Sequence, residues 1–109
     1  MIPDLFPLHA TGVSTGPVRA AGEAFLASLT ETQRQTALFP VDDDAWRLWS
    51  NVDGYQRQGM SLREMSDDQR EAAFALMAAS LRAEGFPTSR TIMLPNHTQG
   101  ELQRCAKKL

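Results

Sequence analysis

Ser66-Asp-Asp-Gln-Arg-Glu-Ala-Ala-Phe-Ala-Leu-Met-Ala-Ala-Ser-Leu-Arg-Ala-Glu-Gly85 is the stretch whose reading decides the fold. Ser66 and Gln69 are spaced as a capping box, in which the serine hydroxyl and the glutamine amide each satisfy one backbone N–H that a helix start leaves without a partner. Ala73, Phe74, Met77, Ala78 and Leu81 then recur at a spacing near 3.6, which marks one apolar face of a helix. The spacing predicts a helix over 67–84 that stops at Gly85, since glycine tolerates the left-handed conformation common at helix C-termini. A groove for a partner helix and an ordinary core face share this pattern, and core packing is the reading adopted.

Working upstream, Ser61-Leu-Arg-Glu64 is another capping box only five residues earlier, which leaves room for a single turn. Thr30-Glu-Thr-Gln33 is a third, opening a short helix over 31–38 that ends where Phe39 precedes Pro40, because a residue before proline is disfavoured in the helical region. A first helix over 17–29 begins at Pro17 and carries Val18, Ala21, Phe25 and Leu29 on one face. Asp42, Asp43 and Asp44 precede Ala45-Trp-Arg-Leu-Trp49, where carboxylates cap free N–H groups and favour the positive end of a one- or two-turn helix. Trp46 and Trp49 fall three apart on that turn and are read as core anchors in preference to a ligand platform.

Downstream, Thr88 caps a last helix over 88–94 that Pro95 is expected to break, since proline lacks the backbone donor and clashes with the preceding turn. No alternating apolar pattern supports a strand. The fold expected is therefore all-α, a small irregular bundle of about four to six helices with long loops. Residues 1–16 form an irregular arm with Pro3, Pro7, Gly12 and Gly16, residues 17–102 the helical domain, and residues 103–109 a short basic tail.

At 109 residues the chain holds one core, and 42% apolar with 22% charged residues is the composition of an ordinary globular protein. The net charge of −2 lacks the basic footprint of a nucleic-acid or anionic-membrane binder, so neither partner is expected. Nine of eleven basic residues are arginine and alanine occurs 14 times, a bias that genome composition accounts for. No run reaches the roughly 18–20 apolar residues that cross a bilayer, and the acidic, proline-bearing start does not read as a signal peptide, which leaves cytoplasmic location as the default.

The lone Cys105 forms no internal disulfide and no cysteine-rich zinc site. The aspartate run lacks the alternate spacing and the glycine of a calcium loop, so neither metal nor cofactor is expected. Asn51 follows the tryptophans in a loop, while Asn96 and His97 follow Pro95 at the expected helix break, where polar groups are released from helical constraints. One histidine without spaced carboxylate or cysteine partners is weak chemistry, and these three are the only candidate site residues.

Phe25-Leu-Ala-Ser-Leu29, Gln33-Arg34, Ala37-Leu-Phe-Pro40 with Asp42, Trp49-Ser-Asn51, Gly59-Met-Ser-Leu62, Met65-Ser66, Gln69-Arg70 and Ile92-Met93 resemble, in order and spacing, the N-terminal region of the bacterial domain-of-unknown-function family 3500. The resemblance covers roughly residues 20–102 and departs from the family at Pro95 and after Leu102. It implies a larger α/β or β-rich parent carrying a paired-histidine segment, of which this chain is a truncated or frameshifted copy or a gene fragment. Two function classes follow. One is the helical N-terminal portion of an uncharacterised enzyme-like protein, with Asn51, Asn96 and His97 facing a site completed by the missing part. The other is a non-catalytic helical interaction module. The implied partners are that missing C-terminal part, or a second copy held through an exposed apolar face.

Overall fold

The computed structural model describes residues 9–52 and 56–106, and among these the chain is all-α, with four α-helices and no strand. The order is α1 (Gly16–Ser28), α2 (Glu31–Ala37), one-turn 3-10 helices at Asp44–Arg47 and Leu62–Glu64, α3 (Asp67–Ser80) and α4 (Gly85–Ala106).

Each helix start follows from local chemistry. Pro17 occupies the second position of α1, where its missing N–H has no helical acceptor in any case. Thr30 Oγ1 accepts from Gln33 N at 3.3 Å and Gln33 Oε1 accepts from Thr30 N at 3.0 Å, closing the first capping box. Asp43 caps the first 3-10 turn by accepting from Ala45 N at 2.7 Å. At Ser61 the hydroxyl turns toward Glu64, whose carboxylate accepts from Ser61 N at 2.8 Å and from Ser61 Oγ at 2.9 Å. Ser66 and Gln69 close the box that opens α3.

The packing centre is the α1–α3 pair. The α1 face is the expected one: Val18, Ala21 and Phe25 are half-buried and Leu29 is buried. Gly22 faces α3, where a Cβ would meet Leu76 Cδ1 at an ordinary contact distance of 3.9 Å.

The end of α3 and both ends of α4 differ from the sequence reading, and Thr88, expected to cap the last helix, lies inside it. α3 ends at Ser80, not at residue 84, and Gly85 opens α4 instead of closing α3. Leu81 turns extended, at φ −106° and ψ 152°, and Arg82 O then accepts from Gly85 N at 2.9 Å, which reverses the chain. This corner brings Phe86 edge-on to Phe74, with ring centroids 6.4 Å apart, and sets the Arg90 guanidinium 4.9 Å from the Phe74 centroid. Nor does Pro95 break the last helix, which runs through it to Ala106. Thr91, Leu94 and Pro95 lie on the exposed side, so the Thr91 carbonyl that the proline leaves without its helical donor is not shut into an apolar core.

The core is smaller than the apolar pattern implies. Among the described residues only Leu29, Met65 and Gln69 are buried. Phe74 and Met77 are half-buried and Leu81 is exposed. Trp46 and Trp49 are 70% and 81% exposed, so the core-anchor reading of the tryptophans is overturned. The turn that carries Trp46 is four residues long and ends before Trp49, and the Arg47 guanidinium stands 4.8 Å from the Trp46 centroid. The accessible surface of 9602 Å² compares with about 6,000 Å² for a compact monomer of 12.1 kDa. The radius of gyration of 17.3 Å compares with about 13 Å for a compact chain of this length.

Candidate functional site

The segment between α2 and α3 carries most of the exposed aromatic surface. The chain leaves α2 at Leu38 in extended conformation, two residues before Pro40, and presents Phe39, Val41, Trp46, Leu48, Trp49 and Val52 to solvent. Arg57 ties this segment together by donating from Nη1 to Ser50 O at 2.8 Å.

Three recesses run side by side along it. A cleft of about 860 Å³ opens between the end of α2 and residues 56–64, walled by Gln35, Thr36, Phe39, Arg57, Met60 and Glu64. Phe39 and Gln58 continue into a second recess of about 460 Å³ shared with Val41, Asp43 and Trp46. Trp46 and Gln58 in turn border a third, of about 250 Å³, with Leu48 and Trp49. The polar groups in this groove are amides, hydroxyls, the Arg57 guanidinium and the Asp43 and Glu64 carboxylates, and its apolar groups are the rings of Phe39, Trp46 and Trp49 with Val41, Leu48 and Met60. Glu64 titrates below the ordinary carboxylate range, first because Ser61 N–H donates to it and then because the Ser61 hydroxyl does. A carboxylate held in its charged form accepts hydrogen bonds and is a poor proton donor near neutral pH.

A separate shallow surface of about 650 Å³ lies on α4, lined by Thr91, Leu94, Pro95, Thr98, Gln99 and Leu102. Leu94 and Leu102 are exposed there, on a helix held to the rest of the molecule near its N-terminal end by Phe86 and Arg90.

The candidate residues read from the sequence fall in two places. Asn51 is exposed in the loop after Trp49. Asn96 is exposed on α4, and His97 lies in the same helix with its side chain outside the described residues. No hydrogen bond joins Asn51 to Asn96 among the described residues, and Asn96 sits on continuous helix instead of at a break. The aspartate run caps a 3-10 turn, and among the described residues no three His, Cys, Asp or Glu side chains cluster to hold a metal ion. No helix among them is long and apolar enough to cross a membrane.

Two residues read only as caps turn out to join distant parts of the chain. Gln69 is buried, and its Nε2 donates to Gln33 Oε1 and to Ser28 O, each at 2.8 Å. The sequence signal for this was the recurrence of Gln-Arg three residues after a Thr or Ser cap.

The family described as protein of unknown function (DUF3500) matches residues 11–103. The chain belongs to this family. The DUF3500 match spans all four α-helices, ending inside α4, and takes in both glutamines, the exposed tryptophans and the groove between α2 and α3. No curated protein and no solved structure matches the chain.

Proposed function

We propose that this DUF3500 chain works as a helical docking portion of a larger assembly, in which a second polypeptide layer covers the aromatic groove between α2 and α3 and the outer face of α4. The observation that carries this reading is the exposure of Trp46 and Trp49 beside Phe39, Val41 and Leu48. Large exposed apolar patches on a soluble chain mark interaction surfaces.

The covering layer is the remainder of a longer parent or, in the interaction-module reading, a second copy or separate partner. In the parent arrangement Asn51, Asn96 and His97 supply polar groups to a site that the covering layer completes. Sites between packed parts are common, and the DUF3500 chain offers polar groups on both of its open surfaces.

The two tryptophans are the probe. With the chain alone and dilute, both are open to acrylamide and emit as solvated indole. Protection of both at rising concentration, together with a larger mass by light scattering, supports the second copy. Protection only in a longer polypeptide containing this sequence supports the parent. A chain whose tryptophans stay open to quencher under every one of these conditions overturns the proposal.

A further inference from the structure

Two nine-residue stretches, Leu26 to Arg34 and Leu62 to Arg70, match when offset by 36 positions. Each reads Leu, two variable residues, Leu or Met, Thr or Ser, Glu or Asp, one variable residue, then Gln-Arg. Their hydrogen bonds match too. Gln33 N and Gln69 N each donate to the cap hydroxyl at 3.3 Å, and Thr30 N and Ser66 N each donate to a glutamine Oε1 at 3.0 Å. Arg34 Nε donates to Leu26 O at 2.8 Å and Arg70 Nε to Leu62 O at 2.7 Å, in both cases eight residues back. Leu29 and Met65, the equivalent residues before the caps, are the two buried apolar side chains among the described residues.

A capping box alone accounts for the first two bonds. A buried apolar residue just before the cap is common at helix starts, where it packs against an apolar residue at the fourth helical position, but in both stretches that position holds the arginine, which reaches back across the corner to the preceding turn. We infer that residues 26–34 and 62–70 are two copies of one corner unit, and that the unit acts as a two-part latch closed by Gln33 and Gln69. In each copy the arginine ties the incoming turn to the outgoing helix, the cap fixes the helix start, and the glutamine faces the other copy. Gln69 Nε2 donates to Gln33 Oε1 at 2.8 Å, and Gln33 Nε2 stands 3.4 Å from Gln69 Oε1. The pair is not fully symmetric, because Gln69 also donates to Ser28 O and carries the deeper burial.

Each glutamine oxygen caps its own helix while accepting from the other copy, so the two helix starts are coupled. Releasing one cap frees the amide that supports the other. The device joins α2 to α3 across the long α2–α3 connection.

Amide hydrogen exchange on the full chain tests this. Gln33→Ala is expected to speed exchange severalfold at Gln69 and Arg70 N–H as well as at Gln33 and Arg34, and Thr30→Ala, which touches only an exposed cap, is expected to do the same more weakly. In the combined variant Gln33→Ala with Gln69→Ala, the loss of melting temperature is expected to fall short of the sum of the single losses. A chain in which residues 26–34 are rewritten with the sequence of residues 62–70 is expected to melt cooperatively with unchanged helicity. Exchange confined to the substituted corner, together with additive losses, would overturn the latch. Loss of cooperative melting in the rewritten chain, with the latch coupling intact, would overturn the equivalence of the copies.

Discussion

The rings of Phe74 and Phe86 meet edge to face at 62° with their centroids 6.4 Å apart, and this contact fastens α4 to α3. The Arg90 guanidinium lies 4.9 Å from one ring centroid and 5.8 Å from the other, so a single cation is shared by both rings. Edge-to-face pairs and cations over rings are favourable because the ring faces carry negative potential.

Phe86→Ala removes the ring pair and the longer of the two cation contacts, leaving Arg90 over Phe74. The ring is half-buried, so the expected loss is about 1–2 kcal/mol, below the 3–5 kcal/mol typical of fully buried phenylalanine. Urea denaturation measures it. The same variant is expected to raise amide exchange along α4 more than along α1.

Trp49→Ser tests the exposure of the aromatic groove. With the ring 81% exposed, stability in the isolated chain should change by no more than about 0.5 kcal/mol, as for other surface positions. A loss of several kcal/mol would mean that the ring is a core anchor after all.

Two glycines should respond to alanine with opposite signs. Gly59 has φ +87°, a region costly for residues with a Cβ, so Gly59→Ala should lose about 1 kcal/mol even though nothing lies within 4 Å of the new methyl. Gly100 lies inside α4 with equally open space, so Gly100→Ala should gain about 0.5–1 kcal/mol of helix stability. Thermal melts and helicity by circular dichroism separate the two.

Glu64 sets a pH dependence. Its folded titration lies below the unfolded value because Ser61 donates to the carboxylate. Its contribution is therefore complete above the unfolded carboxylate range and is lost as pH falls through the lowered folded value. An NMR titration should find the Glu64 midpoint below the ordinary value of a solvated glutamate. Ser61→Ala should move the midpoint only part of the way back, since the backbone N–H, the larger cause, remains. A midpoint unchanged by that substitution would show the hydroxyl to be idle.

What the sequence determined by itself is where α2, α3 and the turn at Leu62–Glu64 begin, but not where α4 does, since Thr88, expected as its cap, lies inside a helix that opens at Gly85. Thr30 with Gln33, Ser61 with Glu64 and Ser66 with Gln69 lie three residues apart, so the groups that satisfy each helix start are present locally whatever the rest of the chain does. The apolar face of α1 was legible for the same reason, as a periodicity within one element. The tertiary structure decided where α3 stops, whether Pro95 ends a helix, and which aromatics are covered. Gly85 opens a helix because Phe86 finds Phe74 across the corner, and Pro95 is accommodated because its face of α4 meets water. Trp46 and Trp49 have the composition of a core but no surface arriving to bury them. Capping joins groups a few bonds apart, whereas burial requires a second surface from a distant part of the chain or from a partner. That is why the helix starts with a capping box could be read from spacing, while the start of α4, burial, and with it the groove and the amide pair of Gln33 and Gln69, could not.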